Sequence, residues 1–248
     1  MTPVKQSAFR IIHKLASAPV IFFLFLLYGF SCQAKDHSPV IMLDPGHDFL
    51  NPGATSASGI KENIFNLRFT RELASSLEMS GFTVQISRSD EESKSLKSRI
   101  NRQPYDLFIS IHHDSVQEEF CYFTEDGICT TYSGYGYSLW VSPKNPFYNH
   151  SLKLAKLIGT RLKDTGLIHS VHHVAMENRA YLDRKAGIFS FPNLYVLRHN
   201  IKPAILIEVA VITNPADEKN AESPQFRQRF IQAITQGVIS YFSQHNKR

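Results

Sequence analysis

The chain has 248 residues, 43% of them apolar and 20% charged, which excludes a disordered chain, a collagen and a disulfide-packed miniprotein. Its formal charge of +5 comes mainly from the N-terminus: the first 34 residues carry Lys5, Arg10 and Lys14 and no acid, and the remainder carries 24 basic against 22 acidic residues. No Lys/Arg run or basic stripe interleaved with aromatics appears later, so nucleic acid is not an expected partner.

Lys5, Arg10 and Lys14 precede an apolar run, Pro19 to Phe30, with the length of a signal h-region and too short to span a hydrocarbon core of roughly 30 Å. Cys32-Gln33-Ala34 offers a cleavage pattern with the cut after Ala34. Two other readings stay open: an uncleaved N-terminal anchor, and a lipoprotein signal ending at Cys32, for which Gly29 stands where a Leu-like residue is expected. All three place residues 35–248 outside the cytoplasm, periplasmic or secreted, with no second long apolar run to insert that part in a membrane. Such a compartment permits a disulfide, and Cys121 and Cys129, eight positions apart, can staple a small loop. Two cysteines with no nearby third ligand do not make a closed zinc site.

From residue 35 onward the chain reads as one α/β domain. Val40 to Leu43 is a buried strand stopped by Asp44-Pro45-Gly46-His47. Phe65, Phe69, Leu73 and Leu77 recur every four positions and predict a helix over Glu62 to Met79. Gly81 ends it, and Phe82 to Ile86 follows as a strand. Leu96 to Arg102 holds a short helix, and Leu107 to Ile111 is a strand running into His112-His113-Asp114. Tyr137 to Val141 is a strand, and Leu152, Ala155, Ile158 and Leu162 mark a helix. Leu194 to Leu197 and Ala204 to Ile212 are two more strands, and Phe226, Phe230, Ala233, Ile234, Val238 and Tyr241 line a closing helix. The alternation predicts a mostly parallel twisted sheet of about six strands flanked by helices on both faces. Residues 115–136 and 166–192 lack clean periodicity and read as insertions at the rim.

Sites in such sheets form at the carboxyl ends of strands. His47 lies past one strand end, His112 and His113 past another, and Glu62 opens the first long helix. Glu208 interrupts the apolar run Ala204 to Ile212, where a carboxylate is costly unless paired or bound to metal. Two histidines and two carboxylates are the inventory of a catalytic zinc site, with three ligands on the metal and a spare carboxylate for protons. Taken singly each has a plainer reading: a strand-end histidine is usually a hydrogen-bonded loop residue, Glu62 is a first-turn acid favoured by the helix dipole, and Glu208 is an ion-pair partner.

The segment Val40 to His47, with its Asp-Pro-Gly-His end, resembles the opening motif of the zinc-dependent N-acetylmuramoyl-L-alanine amidases, the amidase type 3 catalytic domain. Further motifs of that family follow in order: Pro52-Gly53-Ala54, Gly59 to Asn63, Ser87 to Asp90, Asp106 to His112, Val196 to Arg198, Pro203 to Glu208 and Thr213 to Glu218. The resemblance covers residues 40 to 240 and implies that His47, Glu62 and His112 hold Zn2+ and that Glu208 is catalytic. It also implies cleavage of the amide between N-acetylmuramic acid and L-alanine in peptidoglycan, with Glu208 as general base.

His113, where the family usually has a small residue, is left out of the ligand set, Asp44 is a candidate to orient a ligand, and Asn214 shapes the turn after the last strand. Asp114 stands where Asn is common, and Ala210 and Val211 replace a usual Gly-Phe pair. Some relatives carry an inhibitory helix in the region of residues 115–136, where Glu118 or Glu119 could cap the metal, whereas Cys121 and Cys129 suggest a stapled rim loop. His169, His172 and His173 form a second cluster, either a solvated loop or a substrate or accessory metal contact. Partners are peptidoglycan and an activator protein whose existence is left open. The rival readings are a zinc peptidase cutting within the stem peptide and a non-catalytic cell-wall-binding module.

Overall fold

The computed structural model describes residues 38–88, 92–100, 104–175 and 179–244, and the expected leader, residues 1–34, lies outside them. No helix among the described residues is long and apolar enough to cross a membrane.

The strand β1 (Val40–Pro45) is buried along its whole length and leads through a glycine-rich loop into the helix α1 (Glu62–Met79). After β2 (Thr83–Ile86) and the short helix α2 (Leu96–Ile100) comes β3 (Leu107–Asp114). The segment 115–136 folds into a 3-10 turn and a small hairpin of β4 (Tyr122–Phe123) and β5 (Cys129–Thr130), closed by a disulfide between Cys121 and Cys129. Then follow β6 (Ser138–Val141), α3 (Tyr148–Asp164), β7 (Ala180–Asp183) and β8 (Ile188–Ser190). The chain ends with α4 (Tyr195–Arg198), β9 (Ala204–Val211), α5 (Pro215–Glu222) and α6 (Pro224–Ser243).

Seven strands form the main sheet in the order β2-β1-β3-β9-β6-β8-β7. The half built from β2, β1, β3 and β9 is parallel, while β6 runs antiparallel to β9 and β7 antiparallel to β8. The expected count of about six strands is thus short by one, because residues 166–192 contain the edge pair β7 and β8. The strand expected over Leu194 to Leu197 is instead the start of the one-turn helix α4. A four-residue apolar run satisfies either period. Here both sides of β9 are already taken, by β3 and β6, so no position beside it remains for a strand.

Strand alternation sorts side chains into two layers. One face packs Ile41, Leu43, Ile109, Ile111, Ile205 and Ile207 against the long helices α1, α3 and α6, through residues such as Phe69, Leu73, Ile158, Phe230 and Ile234. The other face carries Val40, Met42, Phe108, Ala204, Leu206 and Trp140 under the short helices, through Ile100, Val196 and Leu197. Along that second face, toward the carboxyl ends of β1, β3 and β9, the inward residues turn polar: Asp44, Ser110, His112, Asp114 and Glu208.

Asp44 ties this rim together. Arg99 of α2 meets its carboxylate bidentately, Nε to Oδ1 at 2.7 Å and Nη2 to Oδ2 at 2.9 Å, and donates also to Pro45 O at 2.8 Å. Ser87 and Ser110 donate their hydroxyls to the two carboxylate oxygens. Both charged side chains are buried, Arg99 at 4% and Asp44 at 0% exposure. Arg99→Ala should therefore lower the unfolding free energy by about 3–5 kcal/mol, the loss expected when one partner of a buried pair is removed, as read from urea denaturation.

Candidate metal centre

The loop after β1 places His47 in a left-handed backbone conformation, φ 60°, which a non-glycine residue adopts only under constraint. The Gly46 N–H donates to Ile111 O at 2.7 Å, clamping this loop to β3. His112 sits near the end of β3 on the second sheet face, and Glu62 is the first residue of α1. The three side chains converge. His47 Nε2 lies 3.1 Å from Glu62 Oε2, and His112 Nδ1 lies 3.1 Å from Glu62 Oε1.

The Glu62 carboxylate is fixed from behind. Asn66, one turn further along α1, donates Nδ2 to Glu62 Oε1 at 3.0 Å and to Gly46 O at 3.1 Å. The Ala54 N–H donates to Glu62 Oε2 at 3.1 Å. Strand alternation turns His113 to the opposite face, where it packs against Phe65 and Phe69 and meets Asn66 Oδ1 at 2.8 Å. His113 thus braces Glu62 through Asn66 and stands outside the donor group. Asp44 does not orient a ligand as the sequence suggested, since Arg99, Ser87 and Ser110 engage its two oxygens. Asn214 does shape the turn after β9, capping α5 through Oδ1 and reaching Gly134 O through Nδ2.

Burial opposes a charge on Glu62, yet the hydrogen bonds from His112 and His47 hold its carboxyl well below the usual range. Burial likewise opposes a charge on His47, but Glu62 outweighs it and raises the imidazole above its ordinary value. Burial pushes His113 down to about 3, so it is neutral.

Glu208 faces His112 across the ladder, for the two are register partners on β3 and β9. Its Oε2 is fully covered and has no hydrogen-bond partner among the described residues. Burial, Asp114 and Glu62 push its carboxyl well above the usual range, against the pull of Arg179.

Among the described residues, two groups of His, Asp and Glu donors are close enough to hold a metal ion: His47, Glu62 and His112, and Asp114, His172 and His173. Four bonds of about 2.0–2.1 Å in a tetrahedron put donor atoms about 3.3 Å apart. In the first group each histidine stands 3.1 Å from one Glu62 oxygen and all three donors lie within 4.8 Å of one another, and glycines make room for them. A Cβ at Gly53 would stand 2.3 Å from Glu62 Oε2, and one at Gly46 would stand 2.4 Å from the His112 ring. The second group fits poorly, with His173 Nε2 only 2.5 Å from Asp114 Oδ2, closer than two donors of one ion would stand. His169 joins neither group, and its Nδ1 lies 3.2 Å from Ser170 O. Glu118 and Glu119 lie exposed on the 3-10 turn beside the disulfide, outside the donor groups. Gly53→Ala should displace Glu62 and weaken divalent-metal binding roughly 10- to 100-fold, as measured by competition with a chromophoric chelator.

The family model described as N-acetylmuramoyl-L-alanine amidase matches residues 41–240. The N-acetylmuramoyl-L-alanine amidase AmiC of Neisseria meningitidis serogroup B is 29% identical over 83% of this chain and 53% of its own length. The probable cell wall amidase LytH of Staphylococcus aureus is 30% identical over 85% of this chain and 62% of its own. This chain thus spans little more than half the length of these relatives. Among solved structures, the N-acetylmuramoyl-L-alanine amidase from Clostridium difficile 630 superposes with a TM-score of 0.65 at 25% identity, covering 83% of this chain and 97% of that one. With four fifths of its length matched by the family model, the chain belongs to the N-acetylmuramoyl-L-alanine amidase family.

Proposed function

We propose that this protein is an exported zinc-dependent peptidoglycan amidase that cleaves the amide between N-acetylmuramic acid and L-alanine of the stem peptide. The observation that carries this reading is the pairing of the His47–Glu62–His112 donor group with the Glu208 Oε2, one strand away and without a partner among the described residues. The family membership and the cell-wall amidases among its relatives support the substrate. The leader read in residues 1–34 and the Cys121–Cys129 disulfide support export.

His47, Glu62 and His112 would hold the zinc ion. When bound, zinc supplies Lewis acidity, which polarises the scissile carbonyl and lowers the pKa of water toward roughly 7. Glu208 takes a proton from the attacking water and later delivers it to the leaving amine nitrogen. The covered and unpartnered Oε2 suits that task, because a carboxylate partly removed from water is a stronger base than one on the surface. Asn66 and the Ala54 N–H keep Glu62 aligned throughout. A groove of about 420 Å³ opens beside His47 and His112, with Leu96, Leu194, Tyr195 and Leu206 among its walls, and receives the substrate.

Residues 35–248, loaded with zinc and incubated with purified peptidoglycan, should release stem peptides beginning at L-alanine and leave the glycan intact, as read by mass spectrometry. A chelator should abolish the release. Glu208→Gln should keep the metal and lose at least about 100-fold in turnover, whereas His47→Ala should lose both. Shortened stem peptides still attached to the sugar would make the enzyme a peptidase instead. An active Glu208→Gln protein would overturn the role of Glu208.

A further inference from the structure

The mechanism leaves unused a set of buried polar residues beside Glu208. Asp114 follows His112 by two positions on the same face of β3. His173 Nε2 lies 2.5 Å from Asp114 Oδ2, and the Ser115 N–H donates to Asp114 Oδ1 at 2.8 Å. On the far side of the imidazole, Arg179 Nη1 lies 3.1 Å from His173 Nδ1.

These contacts have one direction. A guanidinium carries only donors, so His173 Nδ1 accepts from Arg179. The proton of a neutral His173 then sits on Nε2 and is donated to Asp114. A metal ion on His173 Nε2 would need a proton on Nδ1, facing a donor that cannot accept it. This tautomer agrees with the short contact to Asp114 and argues against a second metal at that place. His172 flanks Asp114 Oδ2 at 3.3 Å, with its Nδ1 2.5 Å from Ser170 Oγ.

The far end of the relay is Arg179. Its guanidinium lies over two rings, 5.3 Å from the Trp140 centroid and 4.9 Å from that of Phe191. Trp140 stands on β6 two residues from Ser138, the register partner of Glu208, and donates Nε1 to Ser138 Oγ at 2.8 Å. The platform under Arg179 therefore belongs to the strand next to Glu208. Asp114 and Glu62 both oppose a charge on Glu208, whereas Arg179 favours it.

We propose that Arg179 is a positioning residue for Glu208: the relay from Asp114 through His173, with the rings of Trp140 and Phe191, fixes a permanent positive charge beside the Glu208 carboxylate and keeps it directed toward the metal donors. The role rests on the reading of Glu208 as the proton carrier. Lysine lacks the planar fork and the stacking face, so it replaces the charge but not its placement.

The test uses the zinc-loaded protein of residues 35–248 and a soluble muramoyl peptide as substrate. Arg179→Ala should lower kcat roughly 10- to 100-fold, with KM, bound zinc and Tm close to those of the unchanged protein. Arg179→Lys should recover part of kcat. Guanidinium ion at millimolar concentration should partly restore Arg179→Ala and leave Glu208→Gln inactive. His173→Ala should lower kcat less than Arg179→Ala and keep the same zinc content. Full kcat in Arg179→Ala beside an inactive Glu208→Gln would overturn the inference. So would a second equivalent of zinc that His173→Ala removes. Full activity in Glu208→Gln would instead remove the reading of Glu208 on which the inference rests.

Discussion

Glu62 places a carboxylate where water is nearly absent, and it is held there by contacts from every side. His47 and His112 meet its two oxygens, Asn66 and the Ala54 N–H hold it from behind, and Gly53 leaves the space it fills. Its position as the first residue of α1 adds the positive end of a helix dipole. The segments that supply these contacts are otherwise separate: the loop after β1, the start of α1 and the end of β3. Much of the rim serves to bring them together, including the left-handed His47, the Gly46 clamp on β3 and the Asp44–Arg99 pair beneath.

Glu208 poses the opposite problem. Its Oε2 is covered but lacks the hydrogen bonds that Glu62 has, and burial with the neighbouring carboxylates disfavours its charge, which Arg179 favours. The two carboxylates divide the work between them. One is saturated with hydrogen-bond donors, and the other has one oxygen without a partner among the described residues, which suits the separate roles proposed for them. Register between β3 and β9 sets them side by side, so their relation depends on the sheet and not on a flexible loop.

The parallel half of the fold was legible in the sequence because its strands are continuous apolar runs ending in turn residues. His47, Glu62, His112 and Glu208 stand out for the same reason: each is a polar residue at or inside an apolar element. The far side of the sheet was harder to read. Strand β7 lies at the edge and alternates exposed with half-buried residues, β8 is only three residues long, and Leu194 to Leu197 is too short for its period to show. Asn66 was missed although it lies four positions after Glu62 on a clear helix, a spacing that puts both on one face. The partnership of Asp114 with His173 spans 59 positions and comes from how residues 166–192 return over the sheet, which no local pattern records. The choice of His112 over His113 came from the family resemblance, and alternation along β3 gives its physical reason, since one residue's shift exchanges the two faces.

A donor group drawn from three segments also makes a cross-link that exists only while an ion is bound. The unfolded chain separates His47, Glu62 and His112 and binds an ion far more weakly, so the folded state gains RT ln(1 + [M]/Kd) from free metal. Above the dissociation constant, each tenfold rise in free ion adds about 1.4 kcal/mol. With an ion on the proposed site, the folded lifetime is thereby tied to the metal content of the surroundings. A change in those surroundings acts on the persistence of the fold as well as on the occupancy of the site.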